Sequence, residues 1–418
     1  MKRLLTVLLF LPLTAFAQTQ ITTTMAPTQA VNIIRIAVPS PDTTLPYSAY
    51  NDLFFAPLTR DLASSGIFAI APIPPNLAPG ADLAKAANAQ LMLNLRLRQE
   101  GEDYVAEVRL LDSSGNPQTP PTAYRGNQAA LSRMAHTIAS ALVRAVNGRP
   151  GIFLSQIAFA SNRTGHFEIW LMDWDGANQR SITNHNTLSI LPSWAPDDER
   201  LVYTSFARGT SDMYIVSRRG GGRIRIPTHL NLNTSATFSP LGHDIAFGGS
   251  VNGNPDIYVI HDDGTNMRRL TTESTIESTP DWSPNGREIS FTSGRSGTPQ
   301  IYIMDAEGSN VRRMSFDDGG WNDDATWSPD GEQIAYTSRV NGRFQIRIAN
   351  VITRESHVIA GEGSNEQPTW SPDGKWIAFQ SDRSGKWQIY RMRTDGTDLI
   401  QLTFDGANKD PDWSKKAE

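Results

Sequence analysis

The chain has 418 residues, of which 39% are hydrophobic and 19% are charged, a balance typical of globular proteins rather than disordered ones. Its formal net charge is -5, and residues 151–418 alone carry 26 basic against 34 acidic side chains. This acidic balance argues against a nucleic-acid partner, because a phosphate backbone requires a basic face. The chain contains no cysteine, which excludes disulfides and thiol chemistry.

The first 17 residues predict an export signal. Lys2 and Arg3 precede the apolar run 4–13, and Ala17 ends a small-x-small cleavage signal. The apolar run is too short to span a bilayer comfortably. We therefore expect cleavage between Ala17 and Gln18 and an exported, soluble mature protein.

Residues 18–30 are rich in Thr and Gln and have almost no apolar pattern, so they predict a mobile N-terminal arm. A small α/β domain is predicted for residues 31–148. Its predicted elements are a strand at 31–38, a helix at 48–65 interrupted by Pro57, a strand at 67–70, a helix at 82–87, a hairpin of 91–97 with 104–110, and a helix at 128–146.

The predicted α/β domain shows no pattern for chemistry. Its one histidine is His136, in the middle of the last helix, and it has no paired acids, metal-ligand spacing or glycine-rich phosphate loop. We expect a docking or supporting role for this domain. The Gly- and Pro-containing stretch 148–151 then predicts a linker.

Residues 152–418 repeat a unit of 43 to 45 residues around an aromatic anchor, as in Trp-Ser-Pro-Asp-Gly at 327–331. A period in the low forties with several short strands in each unit predicts propeller blades. The anchors are Trp194, Phe238, Trp282, Trp327, Trp370 and Trp413.

Each unit has one apolar triplet that predicts a strand, and there are six of them, at 157, 201, 245, 289, 334 and 377. The first unit lacks its anchor strand, while residues 410–413 form a spare one at the other end of the repeat. Closing the ring with this C-terminal strand removes the open sheet edge. The predicted fold is therefore mainly β: a six-bladed propeller of four-stranded blades, preceded by the small α/β domain.

The repeat shows no recognisable catalytic motif. The chain has no Gly-x-Ser-x-Gly elbow, and its seven histidines show no His-Glu-x-x-His spacing. His185 and His229 occupy equivalent places in adjacent blades and could assemble a metal site, but loop residues near a propeller face are the simpler interpretation. We predict no enzymatic activity and no bound metal in the blades.

The best candidate surface lies just before each anchor. If the anchor strand is the innermost of its blade, these residues line the mouth of the central tunnel. They are mostly polar or acidic and differ from blade to blade, and they are 233–235, 277–279, 322–324, 365–367 and 408–410. Such a ring suits an extended peptide or a partner loop and could hold a cation such as calcium, whereas simple solvation of a polar channel is the alternative.

Two segments carry a resemblance to a known family. Residues 61–68, Asp-Leu-Ala-Ser-Ser-Gly-Ile-Phe, are similar to the Asp-Leu-x-x-Ser-Gly-x-Phe of the TolB family, the periplasmic β-propeller proteins of the Tol-Pal envelope system. The first repeat, residues 157–179, resembles the same family. The order of signal peptide, α/β domain and six blades is also that of TolB, so the resemblance covers nearly all of the mature chain.

The resemblance implies a non-enzymatic, monomeric periplasmic scaffold that is peripheral to the membrane through its partners. These would be the Pal lipoprotein on the propeller face, TolA at the N-terminal arm, and other outer-membrane proteins. The implied role is support of outer-membrane integrity and of envelope constriction at cell division. No cofactor is implied.

The family's Pal contacts fall just before the anchors of two neighbouring blades, and the family's histidine there falls on Leu232, three residues after His229. We therefore assign the following residues to the Pal-binding face: His229, Leu232, Ser235, Glu277, Ser278, Thr279, Asp323 and Asp324. The TolA contact is assigned to Gln18, Thr19, Gln20 and Ile21.

Two other functions are compatible with the sequence. One is a sensor or carrier propeller that binds a small ligand or glycan in its tunnel. The other is a propeller that gates a separately encoded enzyme.

Overall fold

A computed structural model describes residues 33–74, 81–251, 253–316 and 320–417. The signal sequence 1–17 with its cleavage after Ala17, and the arm 18–30 with Gln18, Thr19, Gln20 and Ile21, lie outside the described residues. Within the described part of the chain, no helix is both long and apolar enough to cross a membrane.

The N-terminal region folds as a five-stranded sheet in the order β2-β1-β3-β4-β5. Strand β1 runs parallel to β2 and β3, and the other pairs are antiparallel. The strands are β1 (Ile34–Ala37), β2 (Phe68–Ile70), β3 (Leu91–Glu100), β4 (Asp103–Asp112) and β5 (Thr122–Asn127). The helices are α1 (Ala56–Ser64), α2 (Ala81–Ala86) and α3 (Leu131–Asn147), with a π-helical turn at Asn51–Phe55 and 3-10 turns at Tyr47–Ala49 and Gln128–Ala130.

Local sequence explains where these helices begin and end. Pro57 lies at the start of α1, where a missing N–H costs nothing, so the predicted helix 48–65 divides there into the π-helical turn and α1. Helix α3 ends at Gly148, whose φ of 75° is the left-handed conformation that favours glycine. Strand β5 is an exposed or half-buried edge strand, and its residues lack the apolar alternation that would have predicted it.

The described residues from Gln156 to Trp413 form six four-stranded antiparallel sheets, the blades of a propeller. In each sheet the anchor strand, here called the inner strand, lies at one edge and is followed outward by three more strands. Blades 1 to 3 comprise β29 (Asn408–Trp413), β6 (Gln156–Ser161), β7 (Glu168–Asp173), β8 (Arg180–Ser181); β9 (Ser189–Trp194), β10 (Arg200–Ser205), β11 (Asp212–Ser217), β12 (Arg223–Ile226); β13 (Leu232–Phe238), β14 (Asp244–Ser250), β15 (Asp256–His261), β16 (Arg268–Arg269). Blades 4 to 6 comprise β17 (Glu277–Trp282), β18 (Glu288–Ser293), β19 (Gln300–Asp305), β20 (Arg312–Arg313); β21 (Asn322–Trp327), β22 (Gln333–Val340), β23 (Arg343–Asn350), β24 (Ser356–Val358); β25 (Asn365–Trp370), β26 (Trp376–Ser381), β27 (Gln388–Arg393), β28 (Ile400–Gln401).

The ring is closed as the repeat predicts. The C-terminal strand β29 pairs with β6, with Trp413 opposite Ile157 and Asn408 opposite Ser161. The last anchor therefore completes the first blade, which confirms the six-bladed, four-stranded prediction.

Hydrogen bonds near the anchors connect neighbouring inner strands. The residue before the anchor of one blade accepts a hydrogen bond from the backbone N–H of the next anchor. Trp194 donates to Oδ2 of Asp412 at 2.7 Å, and Trp327 donates to Oδ2 of Asp281 at 2.9 Å. The anchors thus serve packing and blade registration, as expected for buried aromatic residues.

The core continues from the propeller into the N-terminal region. Arg391 of blade 6 is fully buried, with its guanidinium 3.9 Å from the ring centre of Trp174 and 4.5 Å from that of Trp376. Burial lowers the pKa of Arg391 to about 10. The same hydrophobic cluster contains both tryptophans and residues of α1 and α3, so the two parts of the chain share one core.

Candidate functional site

Each inner strand contains a β-bulge three residues before its anchor. In all six blades the pairing of the inner strand with its neighbour shifts register at this point. The bulged residue has a positive φ between 45° and 54°, a conformation that residues other than glycine adopt rarely. These six residues, here called the bulge ring, are Leu191, Ser235, Thr279, Asp324, Gln367 and Asp410.

The bulge ring lines the mouth of the central tunnel. All six of its residues border one cavity of about 130 Å³, together with the residues that follow them on the inner strands. The bulge turns one polar or apolar side chain of each blade toward the axis, and these side chains differ from blade to blade. The ring therefore offers a contact surface whose chemistry changes from one blade to the next.

The structure separates the predicted Pal-face residues into four groups. Ser235, Thr279 and Asp324 belong to the bulge ring. Leu232 and Ser278 are half-buried on the inner strands of blades 3 and 4. The exposed His229 lies in the loop before β13 with a φ of 58°. Glu277 and Asp323 are engaged within the propeller wall.

Glu277 is completely buried, which corrects its predicted place on the face. Its Oε1 accepts a hydrogen bond from the hydroxyl of Ser293 at 2.6 Å, and its Oε2 accepts one from Arg295 at 2.9 Å. A buried carboxylate that is paired in this way is not available to a partner. Its side chain lies within the blade, and the residue that lines the tunnel is Thr279, after the bulge.

In two other blades an arginine likewise donates to the side chain of the first residue of the inner strand. Arg383 donates to Oδ1 of Asn365 at 2.6 Å, and Arg163 donates to Oδ1 of Asn408 at 2.9 Å. The sequence signal is the arginine two residues after a serine at the end of the second strand, as in Ser293 and Arg295.

Asp323 joins blades 4 and 5. Its Oδ1 accepts hydrogen bonds from the hydroxyls of Thr279 and Thr292, at 3.1 and 2.6 Å, and from the backbone N–H of Asp324 at 2.8 Å. The carboxylate therefore fixes the bulge of its own strand against the neighbouring blade.

The tunnel mouth is crowded with negative charge. Burial raises the pKa of Asp324 well above its ordinary 3.8, and the charges of Asp323, Glu366 and Asp410 raise it further. Burial also raises the pKa of Asp410 and of Glu366. The native fold therefore bears an electrostatic cost when these groups are ionised.

We expect Asp324→Asn to stabilise the protein at alkaline pH. A carboxyl group whose pKa is raised by folding destabilises the native state as it ionises, so its cost is absent below the ordinary pKa and grows as pH rises through the folded-state value. The melting temperature should rise by about 2–4 °C at pH 8 and by less at pH 4. Thermal unfolding of both proteins measures this, with Glu102→Gln in the exposed hairpin turn as the charge-matched control. An equal shift at both pH values would contradict the electrostatic argument.

No group of three or more His, Cys, Asp or Glu side chains in the described ranges is arranged to hold a metal ion. Nε2 of His185 lies 3.0 Å from the hydroxyl of Tyr203 in the same blade, and the two rings stack. The structure thus gives His185 a packing partner in place of a shared site with His229. A calcium ion in the tunnel stays a prediction that calcium titration would test.

The described N-terminal residues contact the propeller at the anchor end of the tunnel. The residues that follow β29, Ser414 and Lys415, line a cavity of about 200 Å³ among the anchors. The N-terminal region docks on this side, where Lys375 and Arg393 of blade 6 donate to the carbonyl oxygens of Ser65 and Ser64 at 3.3 and 3.1 Å. The positive charges of Lys375 and Arg393 interact favourably with the negative C-terminal end of the α1 dipole.

The chain is similar to proteins of known families. The model of the TolB beta propeller domain family matches residues 143–368 and 353–418. The Tol-Pal system protein TolB of Syntrophotalea carbinolica is 34% identical over 114 residues, and that of Geobacter sulfurreducens is 35% identical over 152 residues. These matches cover 27% and 34% of this chain, and the chain spans 26% and 35% of the length of the two relatives. The crystal structure of TolB from Acinetobacter baumannii has a TM-score of 0.78 and 25% identity, and the likeness covers 92% of this chain and 97% of that one.

Proposed function

Because this chain belongs to the TolB β-propeller family, we propose that it is a non-enzymatic scaffold of the Tol-Pal system that binds the Pal lipoprotein on the open propeller face. We place the protein in the periplasm, where it supports outer-membrane integrity and envelope constriction at cell division. The predicted export signal and the names of the similar proteins support this assignment.

The observation that carries the proposal is the bulge ring. At one end of the tunnel the residues after β29 line a cavity among the anchors, and the N-terminal region contacts blade 6 on the same side. The other end presents six side chains of five residue types around a cavity. An inner strand of six residues spans roughly 20 Å, so the two ends are well separated. A partner can therefore occupy the open face while the N-terminal region stays docked.

We assign the Pal contact to the accessible part of the predicted face. His229, Leu232, Ser235 and Ser278 lie on blades 3 and 4 around the mouth, and Asp324 adds a carboxylate from blade 5. The half-buried aliphatic and hydroxyl groups provide a packed centre, and the exposed histidine provides a polar rim. Glu277 and Asp323 act indirectly, by holding the strands that bear these residues.

We also propose that TolA is contacted by the arm at Gln18, Thr19, Gln20 and Ile21. The support for this contact is the family resemblance. Deleting residues 18–30 from the mature protein should abolish TolA binding and leave Pal binding unchanged, which a paired binding assay with the organism's own TolA and Pal would measure.

We expect Ser278→Trp to weaken binding of the organism's own Pal by at least about tenfold, because an indole at this half-buried position would keep the partner from the mouth. Isothermal titration calorimetry measures the affinity. The matched control is Ser309→Trp, which places the same side chain in an exposed turn at the other end of blade 4. Equal affinities for the three proteins would place Pal elsewhere, and absence of Pal binding to the wild type would favour a ligand-binding propeller.

A further inference from the structure

Three arginines surround a cavity between the N-terminal region and the propeller. The cavity has a volume of about 270 Å³ and lies beside the first turn of α3. Arg133 reaches it from α3, Arg180 from the outer strand of blade 1, and Arg218 from the turn after β11 of blade 2. Gln156 and Asp173 of blade 1 complete its polar lining.

Blade 1 has no acid at the position from which blades 3 and 4 pair an acid with the equivalent outer-strand arginine. In blade 3, Arg268 lies 3.6 Å from Asp244, and in blade 4, Arg312 lies 2.8 Å from Glu288. The strand registers make Arg180 the equivalent of these arginines.

The position of the missing acid in blade 1 is taken by an amide. By strand register, Gln156 is the equivalent of Asp244 and Glu288, the first residue of the second strand. Gln156 lines the same cavity as Arg180. Blade 1 thus has the arginine of blades 3 and 4 without their acid at this position.

The remaining acid near the cavity compensates this charge only in part. Within the described residues, neither Arg133 nor Arg180 forms an ion pair with a carboxylate, whereas Arg218 lies 3.6 Å from Glu199. Arg180 donates to the backbone carbonyl of Arg218 at 2.7 Å. The carboxylate of Asp173 accepts hydrogen bonds from Gln156 at 3.1 Å and from Asn178 at 2.6 Å. Burial lowers the pKa of Arg180, the charge of Arg218 lowers it further, and Asp173 opposes the shift.

We propose that this cavity is a binding site for a phosphoryl oxyanion, supplied either as free phosphate or as a phospholipid headgroup. Guanidinium groups offer forked donors that match the oxygens of a phosphoryl group. The first turn of the 17-residue helix α3 adds its positive end, since Ala129 and Ala130 also line the cavity.

The site lies across two parts of the chain, which gives it a consequence beyond binding. Arg133 belongs to the N-terminal region, while Arg180 and Arg218 belong to the propeller. An anion held by all three neutralises their mutual repulsion and links the two parts. The bound anion therefore stabilises the docked arrangement by mass action.

The test uses the full-length mature protein and inorganic phosphate, followed by calorimetry and thermal unfolding. Phosphate should bind and raise the melting temperature of the wild type. Gln156→Glu restores the acid found in blades 3 and 4 and should weaken phosphate binding at least about tenfold, because an internal carboxylate would pair with Arg180. Arg180→Gln should weaken it similarly. Arg219→Gln removes one exposed arginine next to the site and is the charge-matched control for Arg180→Gln.

A second arm identifies the source of the phosphoryl group. Vesicles of phosphatidylcholine with phosphatidic acid are compared with vesicles of phosphatidylcholine alone. Binding of phosphate, or of the acidic vesicles alone, supports the proposal if it is lost in Gln156→Glu and Arg180→Gln and kept in Arg219→Gln. Binding of neither, or an equal loss in Arg219→Gln, overturns it. Pal affinity, measured in parallel on the bulge-ring face, should be the same in all variants, so failure of this site and failure of Pal binding are separate results.

Discussion

Trp413→Ala is expected to lower the free energy of unfolding by about 3–5 kcal/mol, the loss typical of a large buried aromatic side chain. Trp413 is completely buried, and its indole N–H donates to the hydroxyl of Ser155 at 2.9 Å. Its backbone N–H donates to the hydroxyl of Thr369 in the preceding blade at 3.1 Å. The substitution leaves a cavity where β29 pairs with β6 and closes the ring, a junction here called the seam. Urea unfolding followed by tryptophan fluorescence and circular dichroism measures the loss.

The matched control is Trp321→Ala, which removes the same side chain from a surface position. Trp321 is 40% exposed and packs edge-on against Phe344. Its loss should cost about 1 kcal/mol or less. Equal destabilisation by the two substitutions would mean that the seam contributes no more than an ordinary surface contact.

The seam has a second set of contacts beyond the anchor. Ser414 donates its backbone N–H to the carbonyl oxygen of Gln156 at 2.8 Å, and the backbone N–H groups of Lys415 and Lys416 donate to the carboxylate of Asp198 at 2.9 Å each. These bonds tie the end of blade 1 to blade 2. Because Trp413→Ala leaves them intact, the expected result is a destabilised propeller and not an open one.

The repeat allowed the fold to be predicted because each anchor occupies the same register in its sheet. Trp413 could be assigned to blade 1 from the spacing alone, since a ring of blades leaves one strand at each end to be paired. The tunnel residues were predicted less well. The sequence places Glu277 and Thr279 side by side before an anchor, but the bulge between the strand start and the anchor buries the first and turns the second to the tunnel.

Long-range contacts inside the N-terminal region could not be predicted in this way. Asp61 and His136 are 75 residues apart, and neither stands in a motif with a chemical meaning of its own. Asp61 was noted only as the first residue of the segment 61–68 that resembles the TolB family. The structure provides a physical reason for that residue, because its carboxylate is buried against His136 at the boundary with blade 1.

The second large effect is expected at this buried pair. Asp61→Ala should lower the free energy of unfolding by about 3–5 kcal/mol, because it leaves His136 buried without its partner. Both side chains are at most 1% exposed, and Nδ1 of His136 lies 2.6 Å from Oδ2 of Asp61. On the other side of the ring, Nε2 lies 3.8 Å from Oδ2 of Asp175, which belongs to blade 1 and is also paired with Arg60. Thermal and urea unfolding measure the loss.

A surface ion pair in the same region is the control. Asp42 and Arg96 lie 3.1 Å apart, with side chains that are 68% and 60% exposed. Asp42→Ala should change the stability by about 0–1 kcal/mol, since water and salt screen such a pair. If Asp61→Ala cost no more than this, the buried pair would contribute no more to stability than an exposed ion pair.

The buried pair also predicts how stability depends on pH. Although burial alone would lower the pKa of His136, the hydrogen bond and charge of Asp61 and the charges of Asp175 and Asp173 hold it above the ordinary 6.5. Burial raises the pKa of Asp61 as well, against the opposing effects of His136 and Arg60. Both shifts make the folded protein bind protons more tightly than the unfolded chain does.

The sign of the effect follows from these two directions. For His136, the stabilisation is fully present below pH 6.5 and is lost as the pH rises through its folded-state pKa. The wild type should therefore lose stability as the pH rises above 6.5, and His136→Gln should show a flatter profile over the same range. The amide can still donate a hydrogen bond to Asp61, so this variant separates the titration from the loss of packing. An unchanged pH profile in His136→Gln would assign the wild-type dependence to other groups, such as Asp324 in the tunnel, whose substitution by Asn provides the direct comparison.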